Sequence, residues 1–343
     1  MQQPTVNRFL VTKNFGTLFL RRFSKLTCFS TLFLIFAGGM VTSTGSGLSV
    51  PDWPLSYGMV FPPMIGGVFY EHGHRMVASL VGFFTLCLAI ALARLETRKW
   101  VKVLGFCALG AVILQGILGG ITVLFFLPTA VSVGHGILAQ TFFILTIIIA
   151  YSQSTERNTR LQKPDHADRK FSKLSLVLVL VVYCQLIIAA IMRHTHSGLA
   201  IPDFPTMAGY WLPPFNDAML AKINHVRLEL DLQYNLQLDP VNMSQVMIHF
   251  LHRLMAFVII CIVAVLYGMG RALNSFQKKT LYILNIALTV QVLLGISTVL
   301  SMRSPVITSL HVATGAAFLG LSVLLLLRIS PLQWNAFKKT ILL

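Results

Sequence analysis

Charge is what this 343-residue sequence lacks most: only 11% of its residues are charged, against about 25% in an ordinary soluble domain. With 55% hydrophobic residues, a soluble globular protein is excluded. Acids are scarcer still, 11 against 27 Lys and Arg, for a net charge of +16. In a soluble chain that excess would suggest nucleic acid, so the positions of the cations have to be read first. Cysteine is also sparse. Cys28, Cys87, Cys107, Cys184 and Cys261 all fall inside apolar runs, so neither a structural disulfide nor a Cys-x-x-Cys metal site is expected.

The apolar residues are grouped. Runs of about 20, enough to cross a bilayer as a helix, lie near 24–43, 75–94, 103–126, 132–152, 174–193, 250–270, 280–301 and 306–328. The expected fold is an all-α integral membrane protein with eight transmembrane helices. Most cations sit on alternate connections: Arg8 to Lys25 before the first run, Arg94 to Lys102 after the second, Arg157 to Lys173 after the fourth, Arg271 to Lys279 after the sixth, and Arg328 to Lys339 after the last. By the positive-inside rule these segments and both termini are cytoplasmic. Topology thus accounts for the charge, and no nucleic-acid partner is expected. No small-residue cleavage pattern follows the first run, which reads as a retained helix and not a signal peptide. Without an organelle presequence, the simplest address is a bacterial cytoplasmic membrane. The N-terminal basic cluster reads as an orientation signal attracted to anionic membrane lipids.

An internal repeat organises the chain. Gly47-Leu-Ser-Val-Pro-Asp-Trp-Pro54 returns as Gly198-Leu-Ala-Ile-Pro-Asp-Phe-Pro205, and His74-Arg75-x-x-Ala78 as His252-Arg253-x-x-Ala256. Gln115, Gly119, Thr122 and His135 return as Gln291, Gly295, Thr298 and His311. Lipid-facing composition supplies few Pro, Asp, His, Gln or Arg residues, so likeness among apolar helices does not explain the match. Two tandem, pseudo-symmetric four-helix bundles are expected, residues 1–160 and 161–343, related by an axis along the membrane normal. The second half has the longer outer loop, about 194–248.

The four repeated histidines lie near the starts of the second, fourth, sixth and eighth runs, which all cross in the same direction. They therefore share one depth, toward the outer leaflet, where a polar side chain is a functional candidate by default. Two neutral imidazoles on different helices suit the two axial positions of a haem iron, whereas zinc favours three or four protein ligands. Any one such histidine is more simply a packed interfacial residue; duplication at matched depth favours two haem-type sites, His74 with His135 and His252 with His311. Arg75 and Arg253 are candidates to pair with propionates near the interface. Glu71 precedes His74 by one helical turn, and His249 stands at the equivalent position before His252. Glu71 reads equally as a proton acceptor at a haem edge or as an exposed carboxylate favoured by a helix N-terminus. The asymmetry suggests that the first half does chemistry and the second carries electrons.

These residues together resemble the haem A synthase family. Its Glu-x-x-His-Arg pattern reads Glu71-His72-Gly73-His74-Arg75, its first outer loop resembles Thr44-Gly-Ser-Gly-Leu-Ser-Val-Pro-Asp-Trp-Pro54, and Gly119-Gly-Ile-Thr-Val123 and His135 fall in place. The resemblance covers essentially the whole chain. It implies an eight-helix oxidoreductase that oxidises a ring methyl of haem O to a formyl group, giving haem A for terminal oxidase assembly. It further implies haem b on His252 and His311 as cofactor, haem O between His74 and His135 as substrate, and Glu71 as the residue required for oxidation. Water would supply the oxygen, and electrons would leave through the second haem to an unidentified acceptor. Haem O synthase and oxidase assembly factors are the partners it suggests; homo-oligomerisation stays open. The chain departs from the family in having no cysteine pair in the first outer loop, and in carrying Thr42 where many members have Arg; Arg193 holds the matching place in the second half. Two other readings stay open, a dihaem b-type electron-transfer protein and a repeat-built transporter.

The remaining features have plainer readings. Trp53, Tyr57, Phe61, Tyr70, Tyr210 and Trp211 form an interfacial aromatic belt. Gly119, Gly120 and Gly295 permit close helix approach, and Gln115 and Gln291 bond between helices. His194, His196 and His225 are interfacial or solvated.

Overall fold

The structure, a computed structural model, describes residues 8–157, 169–270 and 273–329, with side chains from residue 16 onward. The long helices are α1 (Arg8–Ser43), α2 (Gly67–Leu95), α3 (Lys99–Leu124), α4 (Thr129–Ser152), α5 (Arg169–His194), α6 (Asp217–Tyr234), α7 (Met243–Met269), α8 (Ser275–Leu300) and α9 (Pro305–Ile329). Eight of them, all but α6, are long and apolar enough to span a membrane. No strand occurs among the described residues, and only two isolated bridges mark the outer loops. Much of the basic junction expected between the fourth and fifth spans, and Arg271, Lys338 and Lys339, lie outside the described residues.

At the histidine-bearing end two helices begin well before their apolar runs, α2 at Gly67 and α7 at Met243, and at the opposite end α1 does so at Arg8. The polar residues that interrupt the runs of α2 and α7 are bonded to the outer loops, so the helix continues through them. An Asn242–Gln245 capping box starts α7, satisfying its first free N–H groups.

In a bilayer the lipid is as apolar as the side chains, so helices associate through close packing and polar contacts. Helix α1 packs against α2, α4 and α9, and α3 packs against α2 and α4. Helix α5 packs against α7 and α9, α8 lies on α9, and α4 meets both α5 and α9. The seam is therefore α1, α4, α5 and α9. Helix α9 is the most enclosed, half buried against 11% for α8. Small residues allow this: a Cβ on Gly39 would stand 3.3 Å from Ser309 Cβ, and one on Gly320 would stand 2.8 Å from Ile147. One apolar cluster (Leu20, Val81, Leu88, Phe142, Ile149) fills the first four helices, and another (Phe171, Leu178, Val263, Leu284, Phe318) fills the later ones.

At the opposite end from the histidines, Glu96 turns the chain from α2 into α3. It accepts from the backbone N–H groups of Thr97 and Arg98, from the Arg98 guanidinium and from Gln153 Nε2 (2.7 Å). Burial acts to raise its pKa, but the Arg98 and Gln153 bonds prevail and hold it at about 2. A carboxyl lowered on folding stabilises above its unfolded pKa, and that contribution disappears as pH falls through the folded value. Glu96→Gln is expected to destabilise the α2–α3 corner by about 1–3 kcal/mol, read as a lower Tm at neutral pH, with the difference from wild type vanishing near pH 2.

The long outer loop is an ordered cap. Helix α6 packs Met219 and Ile223 against Ala200, Ile201, Val241 and Val246. Arg227 ties it down by donating to the carbonyls of Leu199 (2.7 Å) and Asp239 (2.6 Å).

Candidate active site

Each repeated outer loop is folded around an arginine. Arg75 donates to the carbonyls of Val50 (3.2 Å), Asp52 (2.8 Å) and Leu55 (2.8 Å). Arg253 donates to the corresponding carbonyls of Ile201 (3.0 Å), Asp203 (2.8 Å) and Thr206 (3.1 Å). The loop aspartates close their own turns, Asp52 accepting from the N–H groups of Tyr57 and Gly58, and Asp203 from those of Ala208 and Gly209. The Gly58 bond above all keeps Asp52 below the usual carboxylate range. For Asp203 burial opposes ionisation, and the Thr206 hydroxyl with the turn N–H groups overcomes it. The Pro-Asp-aromatic-Pro and His-Arg motifs are thus halves of one device: the helix supplies the fork and the loop supplies the acceptors.

Glu71 sits in the second turn of α2 and is only 4% exposed. The exposed-carboxylate reading is therefore wrong; the loop covers the acid. Its Oε2 accepts from the Val50 N–H (2.8 Å) and its Oε1 from Arg75 Nη2 (2.7 Å). In the second half the same two donors meet His249, with Ile201 N 3.2 Å from Nδ1 and Arg253 Nε 3.2 Å from Nε2. A neutral imidazole accepts at one nitrogen only, so His249 cannot match the carboxylate. One scaffold presents an acid in one half and a heterocycle in the other.

The four histidines lie about two turns inside α2, α4, α7 and α9. His74 and His135 are electrostatic neighbours, and the rings of His252 and His311 face each other with centroids 6.4 Å apart at 72°. Two metal–nitrogen bonds of about 2 Å each, with roughly 1 Å from each ring centre to its nitrogen, span about 6 Å. The His252–His311 separation therefore fits a metal held between the rings. Among the described residues no group of three or more His, Cys, Asp and Glu is placed to hold a metal ion.

Glycines seat these rings. A Cβ on Gly38 would lie 3.0 Å from His74 Cε1, one on Gly119 3.6 Å from His135 Cε1, and one on Gly295 2.9 Å from His311 Cε1. Gly295 thus makes room for an imidazole, not for a helix backbone as expected from sequence, whereas a Cβ on Gly119 would stand in ordinary contact with His135. Gly120 seats the Trp53 ring instead, at 2.8 Å. The paired glutamines do bond between helices: Gln115 Nε2 donates to the His135 carbonyl (3.1 Å), and Thr314 donates to Gln291 Oε1. The Gln291 carbonyl also lies 3.1 Å from His311 Nδ1; as the acceptor of that hydrogen bond it leaves Nε2 as the nitrogen with a free lone pair. Among the described residues, Nδ1 of His74, His135 and His252 is buried without a hydrogen-bond partner. Of the outer-loop histidines, His225 is solvated beside Glu229, with 72% of its side chain exposed.

Comparison with known proteins bears on this arrangement. A family model described as COX15-CtaA, cytochrome oxidase assembly protein, matches residues 21–66 and 64–324. The chain belongs to that family. "Heme A synthase" of Halalkalibacterium halodurans is 31% identical over 216 residues, 60% of this chain and 70% of that protein. "Heme A synthase" of Alkalihalophilus pseudofirmus is 32% identical over 57% of this chain and 66% of its own length. "Heme A synthase" of Nitrosomonas eutropha is 25% identical over 316 residues, 80% of this chain and 84% of that protein. Eight spans and bacterial relatives make this family member a multi-pass protein of a cytoplasmic membrane.

Sequence reasoning passed over His72. It is buried on α2, with Nδ1 2.8 Å from Ser56 Oγ, and Arg75 Nη1 approaches the same hydroxyl at 3.4 Å. The matching places in the second half hold Phe250 and Met207, which pack against an apolar cluster. A position-by-position comparison of the two halves, extended to the residues between the motif positions, would have found this second polar difference around Glu71.

Proposed function

We propose that this chain is a haem A synthase, an oxidoreductase that converts a ring methyl of haem O to a formyl group. The observation that carries the reading is Glu71: a covered carboxylate, aimed by Val50 and Arg75, one turn from His74 and replaced by His249 in the other half. A protein that only passes electrons has no use for that difference. Residues 1–160 form the substrate half, with His74 and His135 holding haem O. Residues 161–343 form the cofactor half, with His252 and His311 holding haem b, which when bound supplies one-electron chemistry. The two halves are tandem repeats with both termini cytoplasmic, placing the histidines toward the outer leaflet. Support for the haem-type sites comes from the separation of the His252 and His311 rings and from the glycine seats.

In this mechanism the loop 50–57 and Arg75 exclude bulk water from Glu71 and hold its carboxylate in one orientation. Glu71 would accept protons as the methyl carbon is oxidised, with water as the oxygen source and the electrons passing to an external one-electron acceptor. The donors of Arg75 and Arg253 are engaged by loop carbonyls, so these residues contribute charge at the haem edge and not a direct grip on propionates. Haem O synthase is the natural donor of substrate, and oxidase assembly factors take the product.

Co-expression with a haem O synthase in a host lacking haem A, followed by mass analysis of extracted haems, tests the proposal. Hydroxylated and formylated haem are expected; well-folded protein yielding neither would refute the enzyme reading in favour of a dihaem electron carrier. Protein without any Soret band would point to the transporter reading. The seats make a separate prediction: Gly295→Ala forces the His311 ring aside and is expected to lower the haem content of the second pair at least severalfold, measured as haem per chain.

A further inference from the structure

At the outer end of the seam a positive charge is embedded without an acid. Arg193, in the last turn of α5, donates through Nη2 to the Gly39 carbonyl (2.6 Å) and to Ser43 Oγ (2.9 Å) of α1. Ser43 in turn accepts from Ser309 of α9 (3.1 Å). The guanidinium therefore joins three helices. It stands between Gly38, the seat of His74, and the turn of α9 that leads to His311.

Arg303, in the connection from α8 to α9, is the electrostatic neighbour of Arg193. Burial presses Arg303 below the ordinary guanidinium range. Among the described residues neither arginine forms an ion pair. Arg303 makes no side-chain hydrogen bond there either, since only its backbone N–H is bonded, to Thr298. An embedded charge without a counter-ion is strongly unfavourable, and two of like sign repel. Both side chains nevertheless keep accessible surface, so a ligand can reach them.

We propose that Arg193 and Arg303 form a carboxylate-binding site at the seam, and that its ligand is the propionate edge of a tetrapyrrole held by the neighbouring histidines. The proposal rests on the haem reading above. A guanidinium fork matches a carboxylate in shape and charge, and a dianionic propionate edge balances two cations. Arg75 and Arg253 are less suited, because loop carbonyls already take up their donors. Arg193 also reaches from α5 to the α1 segment that seats His74, so the site couples the second half to the first.

The test uses full-length protein made in haem-deficient cells and titrated, by absorbance, with iron protoporphyrin IX or its dimethyl ester. Wild type is expected to bind the free acid at least about tenfold more tightly than the ester. Arg193→Gln and Arg303→Gln are expected to lose most of that preference, and Arg193→Lys to keep part of it. Equal affinity of wild type for acid and ester, or an undiminished preference in the glutamine variants, overturns the site and leaves the two-haem reading intact. Wild type that binds neither form overturns the haem reading itself. Should Arg193→Gln fail to fold, having lost its bonds to α1, Arg303→Gln carries the same test, because among the described residues that side chain makes no hydrogen bond or ion pair.

Discussion

Glu71→Ala is expected to stop conversion of haem O while the haem on His252 and His311 stays bound. A positioned proton acceptor contributes about 10²–10⁴-fold to rate, and the matching place in the second half holds His249 and not an acid. The substitution also strands the Val50 N–H and the Arg75 guanidinium, so alanine alone would confuse chemistry with loop collapse. Glu71→Gln separates the two. Its amide keeps the shape and one acceptor for Val50 or Arg75, and the loop should stay closed, but it cannot take up a proton. Both variants are therefore expected to lose turnover by at least about 100-fold, by mass analysis of extracted haems, with the haem b spectrum unchanged. Turnover restored in the glutamine variant would reduce Glu71 to a loop clamp.

The second large effect is expected from His252→Ala, which should remove the cofactor haem. With one ring gone, His311 alone would be left to hold a group that the two rings, with centroids 6.4 Å apart, would hold between them. The helix itself should survive, because Gln185 Nε2 is bonded to the backbone carbonyl of residue 252 (2.8 Å) and not to the imidazole. Haem content should fall by about one per chain and reduction by dithionite should lose the corresponding absorbance. An unchanged spectrum would show that the halves are assigned the wrong way round. His74→Ala, by contrast, should leave that spectrum in place and abolish retention of haem O.

The ordered outer loops explain why both effects should be local. Arg75 and Arg253 each hold three loop carbonyls, so the scaffold around either histidine pair does not depend on the imidazoles.

Apolar run length, cation placement and the repeated motifs were enough to determine eight spans and to single out four histidines and Glu71, because each signal is local or recurs at a fixed spacing. Helix starts were misplaced at α1, α2 and α7; at α2 and α7 the reason is that polar residues that end an apolar run do not end a helix when another segment bonds them. The glycines were misread for a similar reason: only the packed structure shows that Gly295 faces a ring and Gly39 a helix. Whether Glu71 is covered or exposed was undecidable from its place on α2, because the Val50 N–H that covers it comes from a different part of the chain. The same holds for Arg193. Its residue type is visible in the sequence, but its bonding partners, Gly39 and Ser43, lie on α1, about 150 residues away in the chain, and meet it only when α1 and α5 are brought together.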